Sequence, residues 1–407
     1  MDQEQLWTKL DNIGVTAAKG FQAAGIAAGI KKEKLDLAVI YSETDAVAAG
    51  VFTRNLVQAA PVHLCRAHLK NQIRALVINS GNANACTGEQ GRRDAAAMAQ
   101  ITAEGLNIKA EQVLVCSTGV IGEPMPMEKV SPAIDTALVA LATGPRAGNQ
   151  AAEAILTTDT TVKLSAYRCT LPSGEFNVGG MAKGSGMICP NMATMLAFIV
   201  TDVQIERGLL QDIFADACDA SFNVITVDGD TSTNDTALIL ANGAAESVVV
   251  NPESEEYSAF KTLLNLVCQE LALQIVEDGE GLTKVINLTI RGAVDKAGAR
   301  IMARSILNSP LVKTAFYGED ANWGRIIAAL GHAGVTFDPD RVDIFIGPYQ
   351  VAADGGSVPF SEKDMKKILE KRDVPVLIDL KMGSAEIKAW GTDMSHEYIS
   401  INSNYRS

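Results

Sequence analysis

The residues whose types and spacing suggest chemistry lie near the middle of the chain, around Thr194. A flexible, glycine-rich stretch follows Lys183, passes Pro190 and ends at the small residue Ala193, directly before the Thr194 hydroxyl. If the Ala193–Thr194 bond breaks, Thr194 gains a free α-amine, whose pKa of about 7.7–8.0 leaves a useful fraction unprotonated near neutral pH. A hydroxyl assisted by its own terminal amine is one form of an activated nucleophile. The stretch therefore suggests a self-cleaving precursor in which Thr194 is the nucleophile and the new N-terminus.

The segment after Thr194 has a second interpretation that involves no chemistry. Residues 195–200 form an unbroken apolar run, which predicts a strand buried on both faces. A loop that contains glycine and proline is also common before an ordinary buried strand. The local sequence leaves both interpretations open.

A second candidate site is Ser117-Thr118-Gly119, just past a strand predicted at residues 113–116. At the end of a strand a hydroxyl and backbone N–H groups can converge on an anion. Many strands also end in Thr-Gly turns, so this pattern alone does not separate an anion site from a turn.

Other motifs for chemistry are incomplete. Residues 228–234 match the first positions of a calcium loop, but Thr233 and Ile239 stand where that loop needs glycine and glutamate. Cys189 stands where a dinucleotide-binding pattern needs its third glycine, and the histidines and cysteines lack the spacing of a zinc site. We therefore expect no metal ion, no nucleotide-binding fold and a hydrogen-bonding loop at residues 228–235.

Length and composition predict a globular protein of two domains, with three domains as the alternative. The chain has 407 residues, of which 47% are hydrophobic and 20% charged, and its net charge is −13. This charge argues against nucleic acid or an anionic membrane as a partner, although a local cation can still bind a small acidic substrate. Seven scattered cysteines without a CxxC pair indicate reduced thiols. The polar start and the lack of an apolar stretch of about 18 residues indicate a cytoplasmic protein without a signal peptide or membrane helix.

Predicted strands and helices alternate along both halves of the chain, with no low-complexity linker and no repeat. Strands are predicted at residues 35–42, 45–54, 74–79, 113–116, 161–168, 175–181, 237–240, 285–290, 342–346, 374–380 and 384–390, and helices at 92–105, 127–143, 207–222, 255–276 and 295–308. This interleaving predicts an α/β or α+β fold with mixed sheets and two lobes, and periodicity does not choose between the two classes.

Several motifs together resemble the ArgJ family, the glutamate N-acetyltransferase/ornithine acetyltransferases of arginine biosynthesis. The resemblance includes the central stretch of residues 183–196 and extends over nearly the whole chain. The other matching stretches are residues 79–88, 157–160, 228–235, 278–281, 322–325 and 402–407. Many relatives end in threonine where this chain has Ser407, which still supplies a hydroxyl.

The resemblance implies a self-processed, ArgJ/DmpA-like fold cut between Ala193 and Thr194. An alpha chain of residues 1–193 carries the oxyanion hole and Lys183, and a beta chain of residues 194–407 begins with the nucleophile. The oxyanion hole implied is the Thr118 hydroxyl with the Gly119 N–H. The substrate-binding residues implied are Thr157, Lys183, Thr194, Glu280, Asn402 and Ser407.

The reaction implied by the resemblance is a ping-pong transfer of acetyl from N-acetylornithine to glutamate through acetyl-Thr194. Lys183 and Asn402 suit the α-carboxylate that both substrates carry, and Glu280 suits the distal ammonium of ornithine. No cofactor is implied, acetyl-CoA is a second acetyl donor in many relatives, and the assembly implied contains two copies of each fragment.

Three alternatives remain at this stage. The first is a monofunctional ornithine acetyltransferase that does not use acetyl-CoA. The second is a related self-processing aminopeptidase or amidase, in which water replaces glutamate as the acceptor. The third is a ligand-binding protein without catalysis, which would stay a single chain on a denaturing gel.

Overall fold

The computed structural model describes residues 6–189 and 195–404, so Ala193, Thr194 and Ser407 lie outside the described residues. The first range forms β1 (Trp7–Lys9), β2 (Phe21–Ile26), β3 (Leu37–Phe52), α1 (Ala60–His68), β4 (Ile73–Asn82), α2 (Gly88–Leu106), β5 (Val113–Val120), α3 (Met127–Val139), α4 (Pro145–Ala154), β6 (Lys163–Leu171) and β7 (Gly174–Lys183). The second range forms β8 (Leu196–Thr201), β9 (Gln204–Ile205), α5 (Arg207–Ala220), β10 (Ile225–Thr226), β11 (Thr236–Ala241), β12 (Val249–Val250), α6 (Glu255–Glu277), β13 (Val285–Ala293), α7 (Lys296–Leu307), α8 (Pro310–Tyr317), α9 (Trp323–Gly331), β14 (Asp343–Ile346), β15 (Tyr349–Ala353), β16 (Gly356–Ser357), α10 (Glu362–Leu369), β17 (Asp373–Asp379), β18 (Ala385–Thr392) and α11 (His396–Asn404).

The larger sheet takes strands from both ranges. Among the described residues its order is β1-β6-β7-β8-β11-β3-β4-β5, and β2 pairs with the first part of β3. β8 lies in its centre, antiparallel to β7 and parallel to β11. Every residue of β8 is buried, as its apolar run predicts for a strand covered on both faces.

Helices cover this sheet on both faces. α5 and α6 pack on the side chains of β6, β7 and alternate residues of β8 and β11. α1 and α4 pack with the opposite side chains of β8, which include Leu196 and Phe198. α2 and α3 cover the end of the sheet formed by β3, β4 and β5. The centre of the sheet is therefore shielded from solvent where β8 begins.

The smaller sheet contains only strands from the second range. Its order among the described residues is β10-β18-β13-β17-β14-β15-β16, and β13 pairs parallel with β17 and antiparallel with β18. α7, α8, α9 and α10 contribute apolar side chains to the core on this sheet. Two mixed sheets with interleaved helices form the two lobes, and this mixed α/β class confirms the prediction.

The strands predicted at residues 35–42 and 45–54 are one continuous strand, β3. Its first part pairs with β2 and β4, and its last part pairs with β11. The register with β4 shifts between Tyr41 and Ala46, where residues 43–45 are exposed. Exposed polar residues resemble a turn in the sequence, but the backbone continues because a new partner strand replaces the first one.

Several helices of the second range begin at a side chain that caps their free N–H groups. Ser254 accepts a hydrogen bond from the N–H of Tyr257 at the start of α6, and Asp295 accepts one from Gly298 at the start of α7. Such caps stabilise a helix by about 1 kcal/mol each and are visible in the sequence. This explains why the predicted starts of these helices lie within one residue of the observed ones.

One described helix, α6, has the length and composition of a membrane span. Its side chains Phe260, Leu264 and Leu271 instead pack in the core with α5 and the larger sheet. Its apolar composition therefore matches the burial that this position in the core requires.

Candidate active site

One cavity brings together the predicted site residues that lie in the described ranges. It offers about 580 Å³ of space not filled by protein atoms, including the solvent at its open mouth. Of the predicted residues, Thr118, Gly119, Thr157, Lys183, Glu280 and Asn402 line it. The remaining lining residues are Ala83, Ile121, Thr158, Gly186, Met187, Ser232 and Asn234. Residues from distant parts of the sequence thus share one concave surface, as small-molecule sites commonly do.

Thr118 and Gly119 lie within β5 and not after it, which corrects the prediction that this strand ends at residue 116. The strand continues because Gly119 pairs with Gly81 in the register with β4. Gly119 has a φ angle of +131°, and a Cβ there would lie 2.3 Å from the carbonyl carbon of Gly81. Only glycine fits this position. The two oxyanion candidates therefore occupy a fixed backbone at the cavity wall.

Asn234 lines the same cavity and holds β5 at the residue before Thr118, a role that the sequence pattern does not reveal. Its side-chain amide donates to the carbonyl oxygens of Ala83 at 2.6 Å and Ser117 at 2.8 Å. The Ser117 hydroxyl donates to Oδ1 of Asn79 at 2.6 Å. The sequence signal for this loop is the match of residues 228–235 to the ArgJ pattern. That match does not indicate a role for Asn234.

Lys183 ends β7 and pairs with Leu196, the first residue of β8, which lies two positions after Thr194 in the sequence. Lys183 is only 3% exposed, yet it lines the cavity. Burial lowers the pKa of its ammonium group, and the nearby carboxylate of Asp159 opposes that change. Among the described residues no carboxylate forms a direct ion pair with Lys183. Within the described part of the chain, its ammonium group is therefore open to an anion in the cavity.

Glu280 and Asn402 form another part of the wall. The side-chain amide of Asn402 donates to Oε2 of Glu280 at 2.8 Å. The Glu280 backbone N–H donates to the carbonyl of Ser185 at 3.1 Å. A Cβ on Gly186 would lie 2.3 Å from Oε2 of Glu280, so glycine permits the close approach of this carboxylate. Asn402 belongs to α11. A polar C-terminal end suggests a frayed tail, but the chain is helical as far as Asn404.

The glycine-rich stretch after Lys183 is held by hydrogen bonds over its described part, unlike the flexible loop expected from its composition. Asp228 accepts from the N–H groups of Met187 at 2.6 Å and Ile188 at 2.9 Å. The Ile188 carbonyl accepts from the N–H of Val227 at 2.8 Å and the hydroxyl of Thr226 at 2.9 Å. The segment that leads to the predicted cleavage bond is therefore fixed up to Cys189.

Comparison with known proteins gives one consistent family. The sequence pattern of the ArgJ family matches residues 22–407. An arginine biosynthesis bifunctional protein ArgJ from Symbiobacterium thermophilum is 49% identical over 398 residues, which are 97% of this chain and 98% of that protein. A protein of the same name from Thermotoga neapolitana is 49% identical over 396 residues, covering 96% of this chain and 99% of its own.

A solved structure is also similar, the crystal structure of ornithine acetyltransferase complexed with ornithine from Mycobacterium tuberculosis. It is 41% identical, and the match covers 46% of this chain and 98% of that chain with a TM-score of 0.43. The family pattern and the two relatives each extend over almost the entire sequence. This chain belongs to the ArgJ family.

Proposed function

We propose that this protein is an acetyltransferase that moves an acetyl group from N-acetyl-L-ornithine to L-glutamate. The observation that carries the proposal is the single cavity that combines an oxyanion-type pair, Thr118 and Gly119, with the oppositely charged Lys183 and Glu280. The first pair suits acyl transfer, and the second suits a substrate with a carboxylate and an ammonium group. The names of the relatives, bifunctional proteins of arginine biosynthesis, support an enzyme of that pathway.

The proposal includes cleavage of the chain by its own Thr194. The Thr194 hydroxyl attacks the carbonyl of Ala193, so a C–O bond forms and the peptide C–N bond breaks to give an ester. Water then hydrolyses this ester and leaves a carboxylate on Ala193 and a free α-amine on Thr194. The amine is the base that the transfer reaction needs.

Acetyl transfer then proceeds in two halves. The Thr194 hydroxyl attacks the acetyl carbonyl of N-acetylornithine while its α-amine takes the hydroxyl proton. The Thr118 hydroxyl and the Gly119 N–H donate to the tetrahedral oxyanion, which then expels ornithine, and the leaving nitrogen receives the proton. The unprotonated amine of glutamate attacks acetyl-Thr194, and N-acetylglutamate leaves as the threonine oxygen regains a proton.

Charge complementarity orients the substrates in this proposal. Lys183, which has no ion-pair partner among the described residues, binds the α-carboxylate. The amide of Asn402 joins it after giving up its hydrogen bond to Glu280, because both of its N–H groups are donated, one to Glu280 and one to the carbonyl of Tyr398. Glu280 binds the distal ammonium of ornithine, and Thr157 adds a hydroxyl at the cavity wall. Thr194 and Ser407, the remaining residues assigned to substrate binding, lie outside the described residues. A substrate complex in which Lys183 and Glu280 do not contact the ligand would contradict this orientation.

The deciding experiment measures acetyl transfer from N-acetylornithine with glutamate present, with glutamate absent, and with acetyl-CoA as the donor. Transfer to glutamate supports the acetyltransferase, and transfer from acetyl-CoA adds the second activity that the family resemblance implies. Release of acetate without transfer to glutamate would instead support the hydrolase alternative. We further propose that the enzyme is cytoplasmic and contains two copies of each fragment. Light scattering of the purified protein tests the number of fragments.

Replacing Thr118 with alanine is expected to lower kcat by about a hundredfold or more and to change KM little. The hydroxyl donates mainly to charge that develops in the transition state, and one such donor contributes about 3 kcal/mol in comparable sites. Steady-state kinetics with N-acetylornithine and glutamate measure this effect. A large rise in KM at unchanged kcat would make Thr118 a ground-state binding residue.

Removing residues 402–407 is expected to leave cleavage intact and to lower acetyl transfer by orders of magnitude. The truncation removes Asn402, whose amide bonds to Glu280 in the cavity wall. Cleavage uses groups around Thr194 and needs none of these residues, so two fragments should still appear on a denaturing gel. A truncated protein with near-normal kcat/KM would exclude the C-terminal end from the active site.

A further inference from the structure

A buried charge network lies behind the cavity and touches three of the segments that line it. Its centre is Lys163, the first residue of β6, whose side chain is 0% exposed. The Lys163 ammonium donates to Oδ1 of Asp159 at 2.7 Å, to Oδ2 of Asp278 at 2.6 Å and to the carbonyl of Thr161 at 3.2 Å. All three of its protons are therefore used, and none is left for a ligand.

Asp159 connects this centre to two segments of the cavity wall. Its Oδ1 accepts from the N–H of Gly184 at 2.6 Å, next to Lys183 in the chain. Its Oδ2 accepts from the N–H of Thr157 at 3.0 Å. Asp159 does not line the cavity itself, so it acts on the site through the residues that it holds and through its charge.

Asp278 connects the same centre to a third segment. Its carboxylate accepts from the N–H of Thr160 at 3.0 Å, and its carbonyl accepts from the Ser185 hydroxyl at 2.6 Å. Glu280, two residues further on, bonds through its N–H to the Ser185 carbonyl. Thr157, Lys183 and Glu280 are thus fixed relative to one another by a single network.

We propose that Asp159 is a positioning residue that keeps Lys183 both in place and positively charged in the cavity, and that Lys163 holds Asp159 for this task. The inference rests on the proposed function, in which the Lys183 ammonium binds the substrate carboxylate. Two observations carry it: Asp159 bonds directly to the backbone beside Lys183, and Lys183 is buried without an ion-pair partner among the described residues. A buried ammonium group loses its charge easily unless a carboxylate lies nearby.

The electrostatics of the network agree with this assignment. Burial lowers the pKa of Lys183, and Asp159 is the strongest influence in the opposite direction. Burial alone would raise the pKa of Asp159, but the ammonium groups of Lys183 and Lys163 keep it below its ordinary range. The charged or titratable groups that act on Lys183 are Asp159, Lys163, Asp235, Glu280 and Lys31. Of the carboxyl groups among these, Asp235 is itself driven towards its neutral form, since burial raises its pKa well above the ordinary value.

The test is the affinity of purified wild type and Asp159→Asn for L-ornithine, measured by calorimetry from neutral to alkaline pH. Removing the negative charge lowers the pKa of Lys183, so carboxylate binding should be lost at lower pH than in the wild type. At the acid end, where Lys183 is charged in both proteins, the Kd of Asp159→Asn divided by that of the wild type should be a constant that reports only the lost hydrogen bonds. Towards the alkaline end this ratio should rise at least about tenfold above that constant, since each unit of pKa changes the charged fraction tenfold above the pKa.

Two further variants separate charge from structure. Asp159→Glu keeps the charge but moves it by one methylene, so its affinity should fall by a similar factor at every pH. Asp202→Asn is the matched control, because Asp202 is 1% exposed, accepts from the N–H groups of Lys19 and Asn177, and lies away from the cavity. The affinity of Asp202→Asn for L-ornithine should equal that of the wild type at every pH. A ratio for Asp159→Asn that does not change with pH would overturn the inference.

A second measurement distinguishes failure of this inference from failure of the proposed function. Trace labelling with acetic anhydride at a series of pH values, read by mass spectrometry on the Lys183 peptide, reports the pKa of Lys183 without any substrate. A lower value in Asp159→Asn than in wild type supports the inference even if the protein does not bind ornithine. An unchanged value overturns it even if the wild type transfers acetyl groups.

Discussion

Replacing Thr194 with alanine is expected to leave the chain as a single polypeptide and to abolish acetyl transfer. The substitution removes the hydroxyl that starts cleavage, and without cleavage no terminal amine forms at residue 194. It also removes the atom that accepts the acetyl group, so both halves of the proposed reaction are lost. A denaturing gel and the intact mass measure the first effect, and the assay with N-acetylornithine and glutamate measures the second.

The matched control is Thr201→Ala at the other end of β8. Thr201 also carries a buried hydroxyl, which donates to the Asn177 carbonyl at 2.8 Å, but it is not part of the cavity. This variant should still yield two fragments and transfer acetyl groups. If Thr194→Ala splits at the same bond as the wild type, cleavage is not the work of Thr194.

The largest expected effect on stability is that of Lys163→Met. This change leaves the carboxylates of Asp159 and Asp278 buried without their shared cation, and breaking a buried ion pair in this way costs about 3–5 kcal/mol. We expect a large fall in the urea midpoint and in Tm. The measurement is best made in the uncleaved Thr194→Ala chain, where unfolding involves one molecule only.

Lys381→Met provides a matched control for the buried lysine. Lys381 also bridges two carboxylates, Asp343 and Asp354, at 2.7 Å each, but its side chain is 32% exposed. Solvent screens such pairs, so its loss should cost about 1 kcal/mol or less. Equal decreases in Tm and in the urea midpoint for the two variants would mean that burial does not increase the contribution of the Lys163 network to stability.

The parts of this fold that sequence predicts well are those decided by neighbours in the chain. α6 was predicted at residues 255–276 and is observed as Glu255–Glu277, because its Ser254 cap and its apolar spacing are local signals. The burial of β8 follows in the same way from its apolar run. In these segments the residues that determine the structure lie close to each other in the sequence.

The parts that escaped prediction depend on partners that are distant in sequence. β3 was divided in two because nothing local shows that β11 replaces β2 as its partner. The sequence predicts only a hydrogen-bonding loop around Asn234, because the bond from Asn234 to Ser117 crosses 117 positions of the chain. The sequence does not reveal the role of Lys163, since its bond to Asp278 spans 115 positions and a lone lysine in a strand carries no signal. For the cavity residues, the family resemblance supplied what the local pattern did not.

The position of β8 and β11 in the larger sheet has a consequence for how the protein refolds after the proposed cleavage. These two strands belong to the predicted beta chain, but they lie between β7 and β3 of the predicted alpha chain. Neither fragment can complete this sheet alone, so the cut does not create two independent folding units. Refolding then becomes a bimolecular association that slows on dilution, whereas the uncut precursor folds at a rate independent of concentration. If the chain is cleaved as proposed, the native state is therefore regained less readily after unfolding than that of the uncut precursor.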